Sequence, residues 1–442
     1  MSAFDALFVP DSLREAVSGA AWLESMLDVE RALANAGARA GVVPAVAAEA
    51  IADACFSERT DAFSWEPLLE QGHLVGNPVE PFVRALRGRV GAEHERYVHY
   101  GATSQDVLDT AAMLVARHAC WVVVGALDRL ADGAAALARE HRSTPMAART
   151  LLQQAVPTTF GLVAAGWLVA VLDARKRLSG LAEHGLAAQL GGAAGTLAVF
   201  GENGPRVVEL FAGELELAVP TLPWHTNRVR VAELGSALAV VAGVCGKIGL
   251  DIILLAQTEV GEVREEAGGG SSTMPQKRNP VRATLARAGA RLAAAHASVL
   301  AGSLEQEHER AAGAWHAEWV ALCGALAFSG GAADAIADAL EGLEVDNERM
   351  RANLAAGGGL VVAERVTFAL ADVIGRGAAH ELVAAASAAA APFRDALLAD
   401  PSCPLSGDEL DVLLDPTTYL GSAEALVDRA LERYGDELGG TP

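Results

Sequence analysis

VRVAELGSALAVVAGVCGKIGLDIILLAQTEVGEVRE, residues 229–265, holds the longest apolar run of the chain, and its spacing predicts one long helix. Within it SALAVVAGVCG and IGLDIILLA are apolar nearly all round, which is the pattern of a helix enclosed by neighbours. The stretch Leu234 to Ala256 is long enough for a bilayer, but it carries Lys247 and Asp251, which a membrane helix rarely holds uncompensated. It is therefore read as a buried core helix. Outward from it, helical periodicity is sustained over about 109–140, 158–184, 281–303 and 316–344. An average helix has roughly 11–12 residues, so helices this long need packing along a whole face, as in a bundle. All-round apolar helices of this length are often shared between subunits, so an oligomer is expected.

Before about 109 and after about 350, turn signals such as GNPVEP and DPTTYLG separate shorter helical segments. The expected fold class is all-α, with an N-terminal helical domain at 1–109, a central long-helix bundle at 110–350 and a C-terminal helical domain at 351–442. No strand alternation of useful length and no fixed-period repeat stand out. At 442 residues, the chain exceeds what one hydrophobic core usually serves.

A formal net charge of −22 argues against nucleic acid and anionic lipid as partners. Any local gathering of Lys, Arg and hydroxyls is informative against that field. Cys55, Cys120, Cys245, Cys323 and Cys403 lie far apart without C-x-x-C spacing, so neither a disulfide framework nor a zinc site is indicated. Asp5 and Asp11 stand where a signal peptide would be basic and then apolar, so a cytoplasmic setting is expected. No HExxH or paired-carboxylate spacing points to a metal, and no cofactor is expected.

The sharpest chemical signal is EEAGGGSSTMPQKRNPV, residues 265–281. Three glycines, Gly268 to Gly270, end a helix and supply a loop. Ser271 and Ser272 add hydroxyls, and Lys277 and Arg278 add positive charge. Asn279 suits an N-cap and Pro280 the first helical position, so the next helix should aim its N–H groups back at the loop. The combination reads as an anion site under a flexible lid, against the plainer reading of a polar inter-helix connection.

GSSTMPQKRNP resembles the GSSxMPxKxNP signature of the fumarase/aspartase superfamily. The resemblance implies that Ser271 is the proton-abstracting base and that Lys277 and Asn279 hold a substrate carboxylate, with Ser272 and Met274 lining the same loop. A serine hydroxyl is a very weak base, so its alkoxide would need backbone donors, a helix dipole and a closed, dry site.

YVHYGATSQDVLDTA, residues 97–111, is similar to the superfamily's HxGxTSxD. There Thr103 and Ser104 would bind a carboxylate, with His99 close by. Read without the resemblance, ATSQD is an N-cap. ARTLLQQAVPTTFG, residues 148–161, corresponds to T-H-x-Q-x-A-x-P, with Thr150, Gln153 and Pro157 in register. The histidine that superfamily members use to help protonate a leaving group is Leu151 here. Hydroxide and amine leaving groups need that proton; a carboxylate or nitrite does not.

Over nearly its whole length the chain resembles the bacterial 3-carboxy-cis,cis-muconate cycloisomerases, through AWLESMLDVERALA (21–34), GNPVEPFVRAL (76–86), QLGGAAGTLAVFGE (189–202), LPWHTNR (222–228), EHERAAGAWHAEW (307–319) and LLDPTTYLGSAEALVDRAL (413–431). That resemblance implies three helical domains, a homotetramer whose sites draw signatures from three subunits, and a di- or tricarboxylate substrate. Gln154 and Gln276 replace histidines usual in these cycloisomerases, which leaves open a paralogue releasing nitrite from nitrosuccinate to give fumarate. A non-catalytic protein on the same scaffold is the remaining alternative, against which Ser271, Lys277 and Asn279 all stand intact. Arg228, His225, Arg310 and His316 are further candidates for substrate contact, although a His or Arg at a helix end often serves as a structural donor. Trp315 and Trp319, four apart, are read as core.

Overall fold

The computed structural model describes residues 3–56, 64–266, 269–270, 274 and 277–439. The regular secondary structure is almost entirely helical, as expected, and among the described residues strand is confined to three two-stranded antiparallel pieces. The elements that matter for the site are α1 (Gly19–Arg39), α2 (Ser104–Glu140), α3 (Phe160–Gly180), α4 (Val229–Ala256), α5 (Val281–Gly302) and α6 (Ala314–Glu341). The strands are β1 (Pro145–Thr150) with β2 (Gln153–Thr159), β3 (Val263–Glu265) with β6 (Leu343–Val345), and β4 (Gly269–Gly270) with β5 (Arg278–Asn279). Two compact units divide the chain: residues 1–127, 173–246 and 285–335 form one, and residues 128–172, 247–284 and 336–442 the other.

Helix α4 buries Leu234, Leu238, Val241, Cys245, Ile248 and Ile252 completely. Their alternating spacing of four and three residues is the seam of a coiled-coil type of packing. Each such aliphatic side chain contributes about 1.5–3 kcal/mol by leaving water. In the first unit, a Cβ at Gly235 would come within 2.9 Å of Leu300 and one at Gly246 within 3.1 Å of Ala290. Glycine there lets α4 and α5 approach closely, which offsets its helix-propensity cost of about 1 kcal/mol. Lys247 and Asp251 compensate each other as an i,i+4 ion pair, and Asp251 also accepts the indole N–H of Trp167 at 2.7 Å.

One expectation for α4 is corrected. The helix stops at Ala256 rather than continuing to 265: Gly261 adopts φ 63°, and Val263 to Glu265 extend to pair with β6. Within the single chain its Val229 and Val240 stay 52% and 41% exposed. By length and composition α2, α4 and α6 could each cross a membrane. Their most apolar windows are 72%, 44% and 72% buried within the chain, so α4 keeps the largest uncovered apolar share.

In the second unit β1 and β2 form a hairpin closed by Leu151 and Leu152 alone, both left-handed at φ 51° and 64°. That is the two-residue type I′ geometry, here carried by leucines instead of the usual Asn-Gly. A separate cluster of Val366, Leu370, Ala379, Leu382, Phe393, Leu397 and Leu410 forms the core of the C-terminal helices.

Candidate functional site

In the first unit the matched stretch 97–111 folds as a tight turn into the start of α2. His99 takes φ 62° and Gly101 φ 74°. A Cβ on Gly101 would stand 2.4 Å from the Phe200 ring, so only glycine fits. The helix starts at Ser104, and Asp106 reaches back to the Thr103 N–H at 2.9 Å, half of a capping box. The half-exposed Thr103 and Ser104 side chains therefore lie at the positive end of a 37-residue helix, a place suited to a carboxylate.

Asp106 does more than cap. Its two oxygens also accept the Gly191 N–H at 3.0 Å, the Gly192 N–H at 2.8 Å and the ring Nε2 of His225 at 2.7 Å. With four donors around it, this buried carboxylate is fully hydrogen-bonded and ties the turn to the segments 187–195 and 222–228. Gln105 adds to the tie, donating to Asp109 Oδ2 at 3.1 Å and to the His225 carbonyl at 2.8 Å.

His99 is held by one residue twice over. Its backbone N–H donates to Glu30 Oε2 at 2.9 Å, and its Nδ1 lies 2.6 Å from Glu30 Oε1. Burial works against the charged ring, but the Glu30 carboxylate, helped by Asp106 and opposed by Arg87, raises the His99 pKa above the ordinary imidazole value.

Arg228 and Arg310 part company. Arg228 is 2% exposed, its guanidinium bidentate on Asp109 at 2.8 and 3.0 Å and paired with Glu318 on its other edge. The ring of Trp224 covers it at 4.8 Å. The expectation that Arg228 meets substrate is thus corrected: two carboxylates take four of its five donors, and it is the hub of a buried ion cluster that also takes the Trp315 and Gln306 side chains. Burial pushes the Glu318 carboxyl above its usual range while Arg228 pulls it down. His225 is likewise buried against Asp106. Arg310, half-buried, donates to Gln105 Oε1 at 3.1 Å and to the Ala193 carbonyl at 2.7 Å. Among the described residues both partners are neutral, so its charge remains available to an anion. Exposed His316 packs at 4.9 Å from Trp319, and Trp315 is buried core.

In the second unit Thr150 and Gln153 pair across the end of the hairpin, both exposed, and Leu151 at its tip is 96% exposed. Gln154 donates to the Asn353 carbonyl at 3.1 Å. Ser271, Ser272 and Gln276 lie outside the described residues. The described flanks of their loop come together where Gly269 pairs with Asn279 and Gly270 with Arg278; Met274 and Lys277 are exposed and Asn279 half-buried.

The start of α5 differs from expectation. Pro280, not Asn279, accepts the first helical bond, from Thr284. The next free N–H groups, of Arg282 and Ala283, donate to the two oxygens of buried Glu265 at 3.0 and 2.9 Å. A protein carboxylate thus occupies the helix end that the sequence suggested for a substrate anion. Three residues earlier, fully buried Glu262 takes both ends of Arg149, at 2.7 and 2.8 Å, and the Asn353 amide at 2.8 Å. Glu30, Asp109, Glu262 and Glu265 escaped sequence reasoning, and Asp106 entered it only as the last residue of the HxGxTSxD match. For Glu30 the legible sign was position: it falls on the apolar stripe of α1, between Met26 and Leu27 on one side and Leu33 and Ala34 on the other.

A family model described as lyase matches residues 9–293, and a model of the adenylosuccinate lyase C-terminus matches residues 359–430. The chain is 47% identical over 433 residues to a 3-carboxy-cis,cis-muconate cycloisomerase of Bradyrhizobium diazoefficiens, covering 95% of each. It is 49% identical over 436 residues to a nitrosuccinate lyase of Streptomyces davaonensis, covering 94% of this chain and 91% of that one. The crystal structure of a 3-carboxy-cis,cis-muconate lactonizing enzyme from Pseudomonas putida superposes with a TM-score of 0.90 at 43% identity, covering 98% of this chain and 99% of the other.

Proposed function

We propose that this chain, which belongs to the lyase family within the fumarase/aspartase superfamily, interconverts 3-carboxy-cis,cis-muconate and its 4-carboxymuconolactone by serine-mediated addition and elimination. The observation that carries the reading is the intact GSSTMPQKRNP motif in a chain matched end to end by a cycloisomerase. In the eliminating direction the Ser271 alkoxide takes the proton from the carbon beside a bound carboxylate. The electron pair moves into that carboxylate, whose added charge Lys277 and Asn279 stabilise. It then returns to form the alkene and expels the lactone oxygen as a carboxylate. Lactonisation is the reverse: a carboxylate oxygen adds to the alkene, and the Ser271 hydroxyl returns the proton. Thr103, Ser104, His99 and Arg310 serve as carboxylate contacts. Thr150, Gln153, Ser272 and Met274 line the reacting part of the substrate.

Leu151 favours a leaving group that departs as a stable anion, because nothing at that position can donate a proton. The same observation supports a second reading, elimination of nitrite from nitrosuccinate to give fumarate, and a nitrosuccinate lyase is among the similar proteins. We place the chain in a cytoplasmic homotetramer whose sites take the three matched stretches from different subunits. Supporting this, long helices of the first unit leave Trp121, Val240, Leu292, Val299 and Val320 exposed at 39% to 74%, apolar side chains that a subunit contact would cover. The domain division we retain is 1–109, 110–350 and 351–442.

Purified protein assayed by absorbance with carboxymuconate and with nitrosuccinate decides between the substrates. Ser271→Ala should abolish turnover of the active one while leaving the oligomer intact. Full activity in that variant would refute Ser271 as the base.

A further inference from the structure

Glu30 is 1% exposed, on a helix that supplies none of the three signature stretches, yet both of its oxygens go to His99. One oxygen holds the backbone N–H of a residue in the left-handed region, a conformation uncommon for any residue other than glycine. The other holds Nδ1, which orients the ring and makes Nδ1 the donor. A buried carboxylate is costly unless a positive charge faces it. The charged groups that face the ring are Glu30 from α1, Asp106 from the start of α2 and Arg87 from the helix Val79–Val90, so carboxylates outnumber cations around it. The ring itself keeps 14% exposure.

We propose that Glu30 is a positioning residue for the reaction: it fixes the left-handed turn at His99 and maintains the ring as an imidazolium whose second N–H is offered to a substrate carboxylate. The inference rests on the reading of His99 as a substrate contact, and it adds a charge-setting role for a residue that touches no substrate.

The test compares Glu30→Gln with wild type on whichever of the two substrates the enzyme turns over. The carboxamide keeps the shape and removes the charge. At about pH 7.5 kcat/KM should fall roughly tenfold or more, chiefly through KM, since the contact binds ground and transition states alike. At about pH 5.5, where an ordinary imidazole is protonated, the variant should return to within about threefold of wild type at the same pH. Damage to packing would not be repaired by protons, so an equal loss at both pH values overturns the proposal, as does no loss at either. His99→Gln separates the two levels: if it keeps wild-type kcat/KM, the substrate contact itself is wrong, whereas a loss there with a pH-independent Glu30→Gln defect rejects only the role of Glu30. If Glu30→Gln fails to fold, NMR titration of His99 in the wild-type oligomer decides, with a midpoint above the assay pH of about 7.5 expected and one below it overturning the proposal.

Discussion

Arg228 and Asp109 face each other through two parallel hydrogen bonds of 2.8 and 3.0 Å, and both side chains are almost wholly withdrawn from solvent. With Glu318 on the other edge, the cluster has one cation between two carboxylates. Removing the cation would leave two buried charges unpaired. Arg228→Gln should therefore lower stability by about 3–5 kcal/mol, read as a shift in denaturant midpoint. Arg310→Gln, losing only neutral acceptors, should cost less, about 1–3 kcal/mol, and act on KM as well. Equal stability losses in the two variants would contradict this division.

Glu265 terminates the N-terminal end of α5 from a strand, joining β3 to the helix that follows the serine loop. Glu265→Ala should cost about 1–3 kcal/mol by leaving two donors unmatched. Hydrogen exchange at Arg282 and Ala283 should rise at least about tenfold, the equivalent of 1.4 kcal/mol of local opening. Unchanged protection there would show that the carboxylate does not hold this helix end in solution.

The exposed apolar side chains of the first unit make the assembly testable without substrate. Val240→Glu and Val320→Glu each place a charge at such a position, 41% and 74% exposed. Each variant should shift the particle toward smaller species in light scattering while keeping its helical circular dichroism. A wild-type mass for both would place the subunit contacts elsewhere.

His141 is 7% exposed, and burial lowers its pKa below the ordinary value despite Glu140 nearby. Because the folded pKa lies below the unfolded one of about 6.5, the unfolded chain binds the proton first. The neutral ring's contribution is fully present above that value and is lost as pH falls through it toward the folded pKa. Melting temperature should thus drop between about pH 7.5 and 5.5, and His141→Gln should reduce that drop. A drop of the same size in the variant would assign the acid sensitivity to other groups.

Helix existence was legible because its cause is local. The i to i+4 bonding of an α-helix shows in spacing, so α2, α3, α5 and α6 begin and end within about five residues of their expected limits. The end of α4 was misread, since an apolar pattern says little about where pairing with a strand some eighty residues away takes over. The serine loop was legible as a motif, and its neighbours Lys277 and Asn279 with it.

What the amino-acid order determined by itself is therefore the helical class and the set of residues able to do chemistry. Tertiary structure alone decided which charged groups are spent on one another. Glu30 meets His99 across 69 positions, Arg228 meets Asp109 across 119, and Glu265 meets Ala283 across 18. Backbone bonding is set by near neighbours, whereas a buried charge takes whatever partner the packing brings to it. Thus Arg228 and Arg310, alike on paper as cations beside a helix, separate into a structural hub and an available charge only once the chain is folded.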